Sequence, residues 1–318
     1  MEQRRFGNMG EVSALTLGGG GTGQVWGPTS QEEAVATVKA AVDLGITFLD
    51  AAPTYGDGKA EDVIGKAFGG RLPDGVWVST KCRLGNPPPG EVLDRLRASL
   101  SDSLARMKLE RVDFFFLHNM IVADEDQARY DGTPRTLFVE SVIPAFETLK
   151  KEGLIGAWGI TGIGVPDAIL ETIESDPPPQ AIQVITNLLD SPGALKRFEG
   201  PAKPREITAA AHRRGVGVMG IRAVQAGALT SEFDRQLPED HPDMADFRRA
   251  AAFRDLSREL GESPAALAHR YALSMDGVAT VVLGVKNRAE LEECVEAESK
   301  GRLAPEVMAR IDGTVARG

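Results

Sequence analysis

The chain has 318 residues, 42% of them hydrophobic and 26% charged, with a net charge of −10 at neutral pH. This is an ordinary soluble composition, long enough for one large α/β domain or two ordinary ones, and its acidic balance argues against nucleic acid or an anionic membrane as main partner. Cys82 and Cys294 form neither a disulfide framework nor a metal-binding spacing. No apolar h-region follows Met1–Phe6 and no run of about 20 apolar residues occurs, so neither a signal peptide nor a membrane span is expected and the expected setting is cytoplasmic.

Residues 3–13 read as a short hairpin turning at Gly7-Asn8-Met9-Gly10. The first core strand, 14–17, runs into Gly18-Gly19-Gly20-Gly21-Thr22-Gly23. The letters match G-x-G-x-x-G, but a dinucleotide-binding turn needs a helix opening at the last glycine, and Trp26-Gly27-Pro28 intervenes. The run therefore reads as a flexible loop that lets backbone approach a ligand. Ser30 with Glu33 three residues on makes a capping box for helix 31–44.

From there strands and helices alternate. Strand 46–50 precedes helix 58–69, strand 76–81 helix 91–106, and strand 112–118 helix 139–151. Strand 155–160 precedes helix 166–174, and strand 181–186 helix 204–214. Strand 216–221 is followed by helices 244–260 and 264–275. Strand 278–283 and helices 288–297 and 304–316 close the chain. The strands are short and rich in Val, Ile and Phe, as strands buried on both faces are. Eight strand–helix units without a dividing linker predict a single (β/α)8 TIM barrel over 1–318, with a doubly wound open sheet as the alternative. Pro87-Pro88-Pro89 and Pro177-Pro178-Pro179 read as rigid turns.

Three connections, 18–30, 119–138 and 222–243, are too long for turns. All follow strands and so lie on the C-terminal rim, where barrels hold substrate. Trp26, Met120, Tyr130 and Phe233 are candidate apolar walls there; the alternative for each is packing against the outer helices.

Three consecutive strands end in chemistry. Ile46–Leu49 runs into Asp50, with Tyr55 on the loop beyond; Val76–Thr80 runs into Lys81; Phe114-Phe115-Phe116-Leu117 runs into His118. In a barrel these ends face one mouth. A tyrosine beside an ammonium has its phenol lowered from about 10 towards neutrality. Asp50 can hold Lys81 charged, and His118 can orient a carbonyl oxygen. The set suits protonating an oxygen as charge builds on it, which is half of a carbonyl reduction. The hydride must come from a cofactor.

The motif Asp50-x-Ala52-x-x-Tyr55-Gly56 with Glu61 and Ile64-Gly65-Lys66-Ala67, together with Lys81 and Leu117-His118, resembles the tetrad motifs of the aldo-keto reductases, and the likeness runs over essentially the whole chain. The resemblance implies a barrel that binds NADP(H) or NAD(H) extended, without a Rossmann fold, with Tyr55 as general acid/base for hydride transfer between nicotinamide and an aldehyde, ketone or sugar-type carbonyl or alcohol. Taken with the residue-level reading, it leads us to expect cofactor contacts from Gly20, Gly21, Thr22, Asp50, Thr161, Gln183, Ile221, Arg222, Gly284, Lys286, Arg288 and Glu293, and substrate contacts from Trp26, Tyr55 and His118. The chain departs from the pattern in places. Thr161-Gly162 stands for the usual Ser-Asn, so one carboxamide contact is missing or replaced. Ile221 stands for a stacking aromatic, and Cys294 for an asparagine. Arg222 suits a pyrophosphate. Lys286 and Arg288, near a helix N-terminus, favour a 2′-phosphate while Glu290 opposes it, so NADP(H) is favoured over NAD(H). A nucleotide-binding regulatory or redox-sensing subunit with little turnover is the alternative function, and an unrelated barrel lyase or isomerase a third.

Overall fold

Eight parallel strands close into a barrel: β1 (Leu15–Gly18), β2 (Phe48–Asp50), β3 (Trp77–Cys82), β4 (Val112–Leu117), β5 (Ile155–Thr161), β6 (Ala181–Ile185), β7 (Gly217–Ile221) and β8 (Thr280–Leu283). Each pairs with its neighbour in sequence, and β8 pairs with β1 to complete the ring. This computed structural model describes residues 1–233 and 235–316. The open-sheet alternative is excluded by that closure. Among the described residues no helix is long and apolar enough to cross a membrane.

Alternation along the strands sorts two cores. Outward residues such as Leu49, Phe115, Leu117, Trp158 and Ile160 pack with the surrounding helices. Inward residues Phe48, Phe114, Phe116, Ala157, Ala181 and Met219 fill the interior. The N-terminal hairpin, Gln3–Arg5 with Glu11–Ser13, closes the end opposite the strand C-termini. Its turn inserts Phe6 edge-on against Phe48, at 5.9 Å between ring centroids, and Phe114, at 5.5 Å. Quadrupolar rings favour such edge-to-face contacts.

Several elements differ from the sequence expectation. The glycine run is not a flexible loop: Gly19–Thr22 forms one buried helical turn. Tight packing explains it, since a Cβ on Gly21 would fall 1.8 Å from the Val285 carbonyl oxygen. The segment 244–260 is two helices, Pro242–Arg249 and Ala251–Glu259, broken at Ala250. The long connection 119–138 carries its own two-stranded sheet, Met120–Val122 with Gly132–Pro134, and the following helix begins at Arg135 and passes through a π-helical stretch at Phe138–Val142 before Ile143–Lys151. The last helix is Pro305–Asp312, shorter than expected. The expected loop 222–243 is described apart from residue 234, which lies outside the described residues.

Because Phe6 is fully buried between rings from β2 and β4, Phe6→Ala is expected to cost about 3–5 kcal/mol of stability through the cavity it leaves. Urea denaturation of the two proteins measures this, and an unchanged midpoint at equal slope would mean that the hairpin is not a structural plug.

Candidate active site

Asp50 is the last residue of β2, Lys81 sits one residue before the end of β3, and His118 directly follows β4. Parallel neighbours put these ends on one rim. Register does the rest: Asp50 lies level with Ser79, and the Ser79 hydroxyl donates to Asp50 Oδ1 at 2.6 Å. Lys81 Nζ donates to both Asp50 oxygens at 2.8 Å and to the Ala51 carbonyl at 2.7 Å. The lysine side chain is 0% exposed and the aspartate 2%. Burial alone would depress the lysine; Asp50 and then Tyr55 outweigh it, so its ammonium is held above the ordinary value. The charge is thus permanent at neutral pH.

Tyr55 lies on the loop after β2, with its ring 4.6 Å from Lys81 Nζ and edge-on to the His118 imidazole at 5.7 Å between centroids. Gly56 makes that loop possible: it has φ of 66°, and a Cβ there would lie 1.9 Å from the Gly23 carbonyl oxygen. The structure brings the four sequence-predicted residues together. It reverses one electrostatic expectation. Burial pushes the Tyr55 phenol above its ordinary value; the Lys81 charge pulls it down and the Asp50 charge pushes it further up. Lys81 does not bring the phenol towards neutrality because burial outweighs its pull and the Asp50 charge adds to the burial effect. His118 is pushed down to about 3 by burial first and then by the charges of Lys81 and Arg83, so its imidazole is neutral.

A cavity of about 290 Å3 opens beside this group, lined among others by Thr54, Lys81, Arg83, Arg95, Ser99 and His118. Across the mouth, Thr161 and Gln183 are partners in the β5–β6 register, one residue beyond the level of the Leu117–Ile160 pair. Thr161 Oγ1 and Gln183 Nε2 are buried and, among the described residues, without a hydrogen-bond partner. Unpaired buried polar atoms are costly unless a ligand satisfies them. A primary carboxamide, with one acceptor and two donors, fits this pair.

The remaining candidates divide. Ile221 ends β7, half-buried at the mouth. Gly20 and Gly284 both lie against the Trp26 indole, where a Cβ on either would fall 2.6 and 3.0 Å from its Nε1. Thr22 is buried, its hydroxyl donating back to Gly19 at 3.4 Å. Trp26 remains half-buried, with Arg235 over its ring at 5.8 Å. Met120 and Tyr130 join Val122 and Phe198 in a satellite cluster, and Phe233 packs edge-on to Phe247.

Arg222, expected to meet a pyrophosphate, is engaged in a buried network of protein side chains. Arg222 has a left-handed backbone, φ 57°. Its guanidinium is buried, donating to Asp243 at 2.8 Å and Gln225 at 2.9 Å. Gln225 in turn donates to Asp246 at 2.6 Å, and Asn187 donates to Gln225 and accepts from the backbone of Leu189 and Ser191. This network ties the loops after β6 and β7 to the helix Pro242–Arg249. At the loop after β8, Lys286 Nζ lies 3.1 Å from Glu290, and Arg288 pairs with Glu33. Glu293 accepts from Ser263 at 2.7 Å.

Sequence reading overlooked Ser79 and the support behind Lys81. On the outer face of the same strand, Thr80 donates to the buried Glu61, which also accepts from Arg106 at 2.6 Å. The signal for Ser79 was its place two residues before Lys81, on the same face of the strand.

Residues 14–316 match the model of the aldo/keto reductase family. L-galactose dehydrogenase of Arabidopsis thaliana is 30% identical over 310 residues, covering 93% of this chain and 88% of that protein. D-threo-aldose 1-dehydrogenase of a Pseudomonas species is 30% identical over 318 residues, 90% of this chain and 89% of that one. In fold, the holo form of an aldo-keto reductase from Bacillus halodurans superposes with a TM-score of 0.75 at 24% identity, covering 100% of this chain and 97% of the other.

The neutral His118 has a measurable signature. An NMR titration of its imidazole is expected to show no protonation step between about pH 5 and 8; a midpoint near the ordinary 6.5 would mean that the imidazole is not held neutral. Since the folded value lies below the unfolded one, the unfolded chain binds the extra proton, and this residue's contribution to stability falls as pH drops below about 6.5.

Proposed function

The chain belongs to the aldo/keto reductase family and is an NAD(P)-dependent oxidoreductase, and from that premise we propose that it moves hydride between a nicotinamide and a small aldehyde, ketone or sugar-type carbonyl, with Tyr55 as general acid and base. The observation that carries this reading is the buried Lys81–Asp50 pair beneath Tyr55, with His118 beside it. The names of the two dehydrogenases support an aldose, entering as hemiacetal or free aldehyde, as the substrate class. The hydroxyl, guanidinium and imidazole groups lining the cavity suit a polyhydroxylated molecule.

In reduction, Tyr55 donates its phenolic proton to the carbonyl oxygen as negative charge develops there. The bound nicotinamide supplies the hydride. Lys81 stabilises the phenolate left behind; Asp50 and Ser79 keep Lys81 charged and in place. His118, neutral, donates one ring N–H to the same oxygen and so aligns the carbonyl. In oxidation Tyr55 takes the hydroxyl proton instead. Thr161 and Gln183 would hold the nicotinamide carboxamide through the two polar atoms that lack protein partners, fixing which ring face meets the substrate.

Tyr55→Phe is expected to lower kcat about a thousandfold with any competent aldose or aldehyde, while nicotinamide affinity stays within about twofold. Retention of a tenth of wild-type turnover would remove Tyr55 from the acid role. Gln183→Leu is expected to raise the cofactor Kd about tenfold, in line with loss of a buried hydrogen bond or two. Titration of intrinsic fluorescence measures it, and unchanged affinity would separate Gln183 from the carboxamide.

A further inference from the structure

Strand β3 ends at Cys82, and Arg83 is the first residue of the loop beyond it. That loop is pinned from its neighbour. The Leu84 and Gly85 amides donate to Asn119 Oδ1 at 2.9 and 3.3 Å. Asn119 Nδ2 donates to Thr133 Oγ1 at 2.8 Å, and the Thr133 hydroxyl donates to the Gly85 carbonyl at 2.6 Å. The helix that follows, Val92–Met107, carries Arg95 and Ser99 one turn apart on one face. The cavity of about 290 Å3 lies between these two elements, with Arg83 on one and Arg95 and Ser99 on the other. Lys81 and His118, the two groups that flank Tyr55, belong to the same lining. Among the described residues, that lining holds no aspartate and no glutamate. In a chain with 46 acidic and 36 basic residues, such a lining runs against the balance of the whole molecule.

We infer that this cavity takes the charged end of the substrate: an aldose or aldehyde carrying a carboxylate or a phosphate away from its carbonyl, bound there by Arg83 and Arg95. The inference rests on the reading above, in which the carbonyl lies at Tyr55 and His118, and it narrows the substrate class of that site. A guanidinium fork matches two oxygens of a carboxylate or phosphate at once, and the Ser99 hydroxyl adds a donor. Both arginines have partners of their own, Asp131 at 2.9 Å and Glu91 at 2.7 Å. Neither partner belongs to the lining, and both pairs lie open to water. The side chains are 55% and 75% exposed in the first pair and 54% and 52% in the second. Pairs so exposed contribute little, so a substrate anion can exchange for the protein's own carboxylates. An anion inside a cleft and met by two guanidinia is less screened than either surface pair, which favours the exchange. Lys81 does not compete, because Asp50 already engages its ammonium. The Arg83 charge also reaches the reacting end, being one of the causes that hold His118 neutral.

The test uses substrate pairs that differ in one group: glyceraldehyde with glyceraldehyde 3-phosphate, and galactose with galacturonate. Nicotinamide absorbance gives kcat and KM for wild type, Arg83→Gln, Arg95→Gln and Glu91→Gln. Wild type is expected to favour the anionic member of at least one pair about tenfold or more in kcat/KM, mainly through KM. A preference confined to the first pair assigns the group as phosphate, and one confined to the second as carboxylate. Each arginine substitution is expected to lower the preference about fivefold or more. Glu91→Gln releases Arg95 and is expected to raise it about twofold. The Glu91 side chain caps no helix N–H, and a gain in preference is not what a folding defect produces. Added salt is expected to shrink the preference in wild type more than in the arginine variants. Equal kcat/KM within both pairs in wild type, or a preference that neither arginine substitution moves, overturns the inference and leaves the carbonyl-reduction reading standing. No turnover of any of the four by folded protein, with either nicotinamide, overturns the aldose reading and this inference with it.

Discussion

A lysine ammonium withdrawn completely from water is the constraint around which this barrel is arranged. Desolvating that charge is expensive, and only close, well-oriented partners offset it. Lys81 has them: both oxygens of Asp50 and one backbone carbonyl. Those partners have to be rigid. Asp50 is therefore fixed by Ser79 on the next strand, and the outward neighbour Thr80 is fastened through Glu61 to Arg106 on the helix Val92–Met107. Removing either member of the pair would leave a buried charge without its counterpart, so the two cannot vary independently.

The same economy of charge shapes the rest of the mouth. Around Tyr55 stand one neutralised ammonium, a phenol raised by burial and an imidazole held neutral, while Arg83 and Arg95 along the cavity are paired with Asp131 and Glu91. Almost no net charge is present there before substrate enters. That makes developing charge on an oxygen the dominant electrostatic event, and the fixed N–H and O–H groups around it need little reorganisation. The loops over the other half of the mouth are held by a buried network instead. Asn187, Gln225, Arg222, Asp243 and Asp246 connect them as one unit. Side-chain networks of this kind specify a single loop arrangement when every member is satisfied.

How much of this the sequence disclosed depends on the range of the interaction. The strand ends carrying Asp50, Lys81 and His118 were legible because local apolar runs mark strands, and parallel barrel topology converts strand ends into neighbours. The element order followed from the same alternation. The network that Arg222 joins was not legible because its partner, Asp243, lies 21 residues on, across a loop whose path has no local signature. Glu33 was legible only as half of a helix cap; its use 255 residues away leaves no trace in the spacing of the helix. The glycine run read as a mobile loop because glycine propensity describes isolated chains, whereas close approach of the Val285 carbonyl selects it here. The structure sets Tyr55 beside Lys81 and His118, as its place on the loop after the strand suggested, while its electrostatics differ from the expectation. Proximity to Lys81 was inferable, but burial and the compensating Asp50 charge belong to the folded state.

The seam of the barrel has a consequence for how the protein is made. β1 pairs only with β2 until β8 arrives, and β8 lies some 260 residues downstream in the register Val281 with Leu15. The amide of Glu2 bonds to Glu298, and the Arg4 guanidinium to the carbonyl of Leu273, so the hairpin is also finished from the far end. Until nearly the whole chain has left the ribosome, β1 presents an unpaired edge and Phe6 lacks part of its enclosure. Such edges template pairing with other chains. The contacts that close the circle are among the most non-local in the molecule, and closure entropy places them late in folding. The Glu33–Arg288 bridge spans the same seam. Completion of synthesis, closure of the ring and formation of this bridge therefore coincide.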